Sequence, residues 1–156
     1  MNRETIQLWL TQGACADAFE RKLKSRFAEA GVGYHLGQNI EGTFCGGDYT
    51  LDIVWDNDAN RDVFAGLPDI EKLDRVSYSM IGQGLRSTHQ ANTIWRTLLL
   101  RVKPESESAV VEQFERDLLA MPEYIQGIRR WALSRVNSDS QNAVIGESRW
   151  THVWQQ

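Results

Sequence analysis

Two segments of this chain end alike. Residues 49–55 read YTLDIVW and residues 148–154 read SRWTHVW. Setting Trp55 on Trp154 places Val54 on Val153 and Asp48 on Glu147, and Thr5-Ile6 falls on Thr93-Ile94 in the strands that open the two halves. A pattern that restarts part-way along a chain marks a repeated supersecondary unit, and it constrains the architecture more than any single segment does. The expectation is a tandem repeat, with copies over 1–84 and 93–156 and the stretch 82–92, GQGLRSTHQAN, as linker.

The local patterns give the unit its contents. Ile6, Leu8 and Leu10 alternate with Gln7, Trp9 and Thr11, the period of a half-buried strand. Phe19, Leu23 and Phe27 recur every fourth residue, which stacks them on one face of a helix over 15–30 that Gly31 stops. Strands are expected at 33–45 and 49–55 around the turn Cys45-Gly46-Gly47-Asp48. A short helix capped by Asp56 or Asn57 runs to about Ala65, and 73–81 makes a fourth strand. The order β-α-β-β-α-β is the ferredoxin-like unit.

The second half gives a strand at 94–102 and a helix opened by Pro104. Its buried stripe is Val110, Val111, Phe114, Leu118 and Leu119, with Pro122 beyond its end. Strands at 127–136 and 143–154 follow, and the second copy stops before its last helix and strand. In a sheet ordered 4-1-3-2 that loss leaves the opening strand of the copy as an unpaired edge. A partner chain would cover it, unless the chain is a fragment or lacks a removed tail. The fold class expected is therefore α+β, two ferredoxin-like repeats with the second incomplete at its C-terminus, their two sheets facing each other.

Composition excludes several classes. The chain has 156 residues, 42% of them hydrophobic, with a formal net charge of −4, a globular balance and not a disordered one. No apolar run approaches the roughly 20 residues that span a bilayer. The opening MNRETIQLWLTQ has no apolar core of a secretory signal. An isoelectric point near 5.4 offers no basic face to nucleic acid or to an anionic membrane. Cys15 and Cys45 have no metal-like spacing and read as free thiols of a cytoplasmic protein. Six tryptophans fill a core or line an aromatic-accepting cavity.

No phosphate-cradling glycine loop, HExxH, CxxC or GxSxG occurs, and His35, His89 and His152 lie far apart in sequence. Neither a metal nor a cofactor is expected. The chemistry-bearing stretch is 148–154. In a strand, Trp150, His152 and Trp154 share one face. A histidine between two indoles can act as general acid or base while the rings hold a flat molecule. His152 is thus the candidate catalytic residue. Trp150, Trp154, Trp95 and Arg130 are the candidate binding residues, Arg130 as a clamp for a carboxylate. A simpler reading of the same strand is a core position whose histidine is hydrogen-bonded to backbone. The cavity reading is preferred because a histidine beneath a helix layer is costly unless paired.

The strand IWRTLLLRVKP, the helix SAVVEQFERDLLAMPEYIQGI and above all WTHVW resemble the stress-responsive α/β-barrel (Dabb) family of the dimeric α/β-barrel superfamily. Trp150-Thr151-His152-Val153 is similar to the aromatic-Thr-His-aliphatic core of its third strand, and GGDYTLDIVW is a weaker counterpart in the first half. The resemblance implies a barrel of two facing sheets around a cavity, a homodimer, and a small hydrophobic or aromatic molecule as ligand, with no nucleic acid and no membrane. It also implies cofactor-independent acid–base chemistry of the lyase or cyclase kind. A non-enzymatic binding or assembly module is the alternative, and a cofactor-free monooxygenase ranks third. The family's catalytic pair is a Tyr on the last helix and a His in a His-Pro-x-His motif. Here the matching segment is Leu67-Pro68-Asp69-Ile70, which keeps the proline and replaces both histidines.

Overall fold

The computed structural model describes residues 2–43, 46–55, 63–67, 69–86, 94–137, 144–145 and 148–156. The chain is α+β and divides into two compact units, Met1–Ser77 and Tyr78–Gln156. No helix of the described residues is long and apolar enough to cross a membrane.

The first unit contains β1 (Asn2–Leu10), α1 (Ala16–Ala30), β2 (Gly33–Gln38), β3 (Tyr49–Trp55) and the beginning of β4 (Ile70–Leu85). The strands stand in the order β2-β3-β1-β4, with β1 and β2 both antiparallel to β3. The register sets Ile6 opposite Leu51, Leu8 opposite Tyr49 and Glu4 opposite Ile53. Facing residues of an antiparallel pair share a side, so these make one continuous face. On β3 that face is Tyr49, Leu51, Ile53 and Trp55, all buried. Helix α1 covers it with Phe19, Leu23 and Phe27, spaced as the sequence requires and all fully buried. Phe27 stacks on Tyr34 at 4.6 Å, and Phe19 tilts against Tyr49 at 5.5 Å. Gly31 ends the helix in the left-handed conformation at φ 66°. Gly47 is required by contact as well as by its φ of 63°, because a Cβ there would meet the Leu8 carbonyl oxygen at 2.4 Å. The expected helix after Asp56 lies mostly outside the described residues, as does Cys45; Cys15 is an exposed free thiol.

The second unit takes the rest of β4, then β5 (Thr97–Leu100), α2 (Ser108–Tyr124), β6 (Arg130–Val136), the two-residue strands β7 (Val144–Ile145) and β8 (Ser148–Arg149), and β9 (His152–Gln155). Its order is β4-β6-β9-β5, with β7 and β8 forming a separate hairpin. Strand β5 stands at the end of the order. The aliphatic surface here is Ile128, Leu133 and Trp154 with Leu100, Leu118, Leu119, Met121 and Trp131.

Five details differ from the expectations. The described strands form one seven-stranded sheet, β2-β3-β1-β4-β6-β9-β5, and not two facing sheets, because the long strand β4 pairs with β6. The strand expected over 143–154 is the separate β7–β8 hairpin followed by the shorter β9. Residues 82–85 are not linker but the last part of β4, in antiparallel register with Arg130–Leu133 of β6 after an irregularity between Met80 and Gly82. The glycines are there for clearance. A Cβ at Gly84 would meet the Trp131 ring at 2.1 Å, and one at Gly82 would meet Leu119 at 2.9 Å. Helix α2 starts at Ser108 rather than near Pro104, and Pro122 lies inside its last turn, buried. Val110 is 56% exposed, while Glu115 takes a buried place on the stripe between Val111 and Leu119. Finally, the opening strands align differently. Trp55 faces Asn2 and Trp154 faces Leu98, so Glu4 corresponds to Leu100 and Ile6 to Val102. Ile94, set against Ile6 by sequence, is 69% exposed and precedes the ladder.

Candidate functional site

Strand β9 follows directly from Trp150-Thr151, and its residues His152 to Gln155 are all buried. By alternation His152 and Trp154 share a face with Trp150. That face lies against α2, so His152 sits beneath the helix layer and not in a cavity facing away from it, and the pairing with Glu115 removes the cost that argued against this placement. The His152 ring meets Phe114 edge-on at 5.3 Å, and its Nε2 lies 3.0 Å from Glu115 Oε1. Arg135, opposite His152 on β6, donates to the same oxygen through Nε at 3.1 Å and also through Nη2. A carboxylate, a guanidinium and an imidazole are thus gathered on one oxygen, Glu115 Oε1, with His152 2% exposed, Glu115 10% and Arg135 57%.

The second ring nitrogen is also engaged. His152 Nδ1 is 2.9 Å from Thr151 Oγ1. That hydroxyl accepts the Val102 N–H at 2.9 Å and lies 3.2 Å from the Leu100 carbonyl. A hydroxyl has one proton and two lone pairs. With neutral His152 donating to Glu115, Thr151 donates to Nδ1. With His152 protonated, Nδ1 donates to Thr151, which donates to Leu100. The arrangement serves both protonation states of the ring. Burial alone would raise the Glu115 carboxyl, but the hydrogen bonds from Arg135 and His152 outweigh it and hold the group below its ordinary value.

A pocket of about 410 Å³ opens beside this array, lined among others by Val102, Lys103, Pro104, Val111, Arg135, Trp150, Thr151 and His152. Its size is that of a one- or two-ring molecule. Of the residues expected at the site, His152 and Trp150 line this pocket together. Trp154 does not; it is 1% exposed in the aliphatic core, with its Nε1–H buried and unpartnered. Trp95 and Arg130 do not line it either. They form their own pair, the guanidinium 5.7 Å from the indole centroid. Arg135, Glu115 and Thr151 were not singled out by sequence. Glu115 carried a signal, since it stands four residues from both Val111 and Leu119 on an otherwise apolar stripe. Arg135 carried none, as an arginine in an exposed strand position is ordinary.

Among the described residues no group of three or more His, Cys, Asp or Glu side chains could hold a metal ion, and His89 lies outside those residues. No protein-family model matches the chain, and no curated protein matches it.

Proposed function

We propose that the chain is a Dabb-like, tandem ferredoxin-like barrel protein that binds a small hydrophobic or aromatic molecule in the pocket of its second unit. One observation carries the reading. At the strand position where the first unit buries Ile53 in an apolar core, the second buries His152, hydrogen-bonded to a buried Glu115 and flanked by a pocket. An ion-paired array is no better for stability than hydrophobic residues of similar volume, and titratable groups packed against a cavity are a common mark of a functional site. Within the single sheet order β2-β3-β1-β4-β6-β9-β5, the first, second and third strands of each unit stand in the same relative order, β1, β3, β2 and β5, β9, β6, which supports the tandem part of the reading. The edge position of β5 supports a second copy of the chain as partner. The protein acts in the cytoplasm, in keeping with an exposed free thiol.

Binding is favoured over direct catalysis because both nitrogens of His152 are already engaged. Acid–base chemistry of the lyase or cyclase kind is the second reading. Thr151 favours it, because its hydroxyl lets the ring gain or lose a proton without stranding a partner. The test is a titration of the full chain with 2-naphthol, followed by the indole N–H signals in a nitrogen-15 correlation spectrum. The Trp150 signal, assigned by its loss in Trp150→Phe, moves saturably. A Trp150 signal unmoved at millimolar 2-naphthol would remove the pocket from consideration.

A further inference from the structure

The pocket has a polarity that its chain does not. The protein carries 21 acidic and 17 basic side chains, yet the residues lining this pocket include two cations, Lys103 and Arg135, and no carboxylate. Glu115 holds Arg135 through Nε and Nη2, which is one edge of the guanidinium. Among the described residues the other edge, Nη1 with the second Nη2 hydrogen, has no partner, on a side chain that is 57% exposed. Glu115 offsets the charge of Arg135 and fixes its plane. Among the described residues no acid pairs with Lys103, so the described lining, with Glu115 set against Arg135, carries one net positive charge. Beside these groups stand the Trp150 indole, whose Nε1–H is buried without a partner, and the apolar atoms of Pro104 and Val111.

We infer that the pocket takes a planar aromatic carboxylate. The carboxylate meets the free edge of Arg135 in the two-bond geometry that a guanidinium matches, with Lys103 at its flank. The ring lies against Trp150, Pro104 and Val111. One net positive charge matches a monoanion, whereas a phosphate dianion would leave uncompensated negative charge in a half-enclosed site. The inference rests on the binding reading above and narrows it to a charge class.

Calorimetric titrations of the full chain with 2-naphthoate and with its neutral isostere 2-naphthamide separate the two. The acid is expected to bind about tenfold tighter than the amide, the scale of one charge-assisted hydrogen bond. Lys103→Met, at an exposed position, should weaken the acid about fivefold and leave the amide unchanged. An amide that binds as tightly as the acid would overturn the charge recognition and leave the pocket reading standing. Failure of the acid, the amide and 2-naphthol together would overturn both.

Discussion

The two units bury the same sheet face in different ways. Each has a helix over a strand with a tryptophan at or next to its end, and each buries one glutamate on that side: Glu4 in the first, Glu115 in the second. In the first unit Glu4 comes from the opening strand and accepts the Trp55 indole N–H at 2.9 Å and the Ser77 hydroxyl at 2.8 Å. Everything else on the β3 face is apolar or aromatic. In the second unit the position of Glu4 is taken by Leu100, and the Trp154 N–H is left without a partner. The acid stands instead on the helix, where it holds His152 and Arg135. Moving one carboxylate from strand to helix turns a tryptophan anchor into a polar array beside a pocket. The first unit shows that a helix packs on this sheet face without such an array. The array is therefore a feature added to the architecture and not demanded by it.

The largest expected effect comes from copying the histidine alone into the wrong unit. Ile53→His places an imidazole in the apolar face opposite Glu4, whose two oxygens are already held by Trp55 and Ser77. The cost combines lost packing with an unsatisfied buried polar group, about 4 kcal/mol in urea unfolding. A cost below about 1 kcal/mol would mean that the first unit tolerates polarity as the second does, and the contrast would dissolve.

A smaller effect separates the two tryptophans. Trp55→Phe strands Glu4 without one of its donors, while Trp154→Phe removes an N–H that has no partner. The packing losses are alike, so the first variant should be less stable than the second by about 1–3 kcal/mol, the cost of leaving a buried acceptor short of a donor. Equal losses would show that the Glu4–Trp55 bond contributes nothing distinctive.

The smallest effect is a pH dependence confined to the second unit's array. The Glu115 carboxyl is held below its ordinary value of 4.5 in the folded chain. Its contribution is present in full above the unfolded value and is lost as pH falls through the lower, folded one. Wild type should therefore lose about 1 kcal/mol between pH 6 and pH 3 that Glu115→Gln does not lose, a size limited by the exposure of Arg135. Glu20, also lowered, by its bonds to Lys24 and Tyr49, contributes to the same window in both proteins and cancels in the difference.

Much of this contrast was legible in the residues. The spacing of Phe19, Leu23 and Phe27 gave a helix and its buried side, and the alternation in 49–55 gave the face it covers. The shared face of Trp150, His152 and Trp154 followed from strand geometry alone, but not which of them meets a pocket. Trp154 packs with Leu118 and Leu119 of α2 in the core, whereas Trp150 borders the pocket beside Lys103 and Pro104. Those neighbours come from distant parts of the chain. The stretch at 82–85 reads as linker for a local reason. Gly82 and Gly84 look like loop punctuation, and only the approach of Trp131 and Leu119 explains why a strand needs them. Glu115 is not legible as a site residue, because a charged side chain within an apolar stripe reads as a solvated neighbour.

The most direct test rebuilds the second unit in the image of the first. The triple variant Glu115→Leu, Arg135→Leu, His152→Ile replaces the whole array with apolar side chains, so no partner is left unpaired. Its stability and its binding of 2-naphthoate are then measured on the same preparation. If the array serves the pocket, the variant unfolds at the same or higher urea concentration, by up to about 4 kcal/mol, and no longer binds. A variant that fails to fold, or that folds and binds as before, would contradict the account.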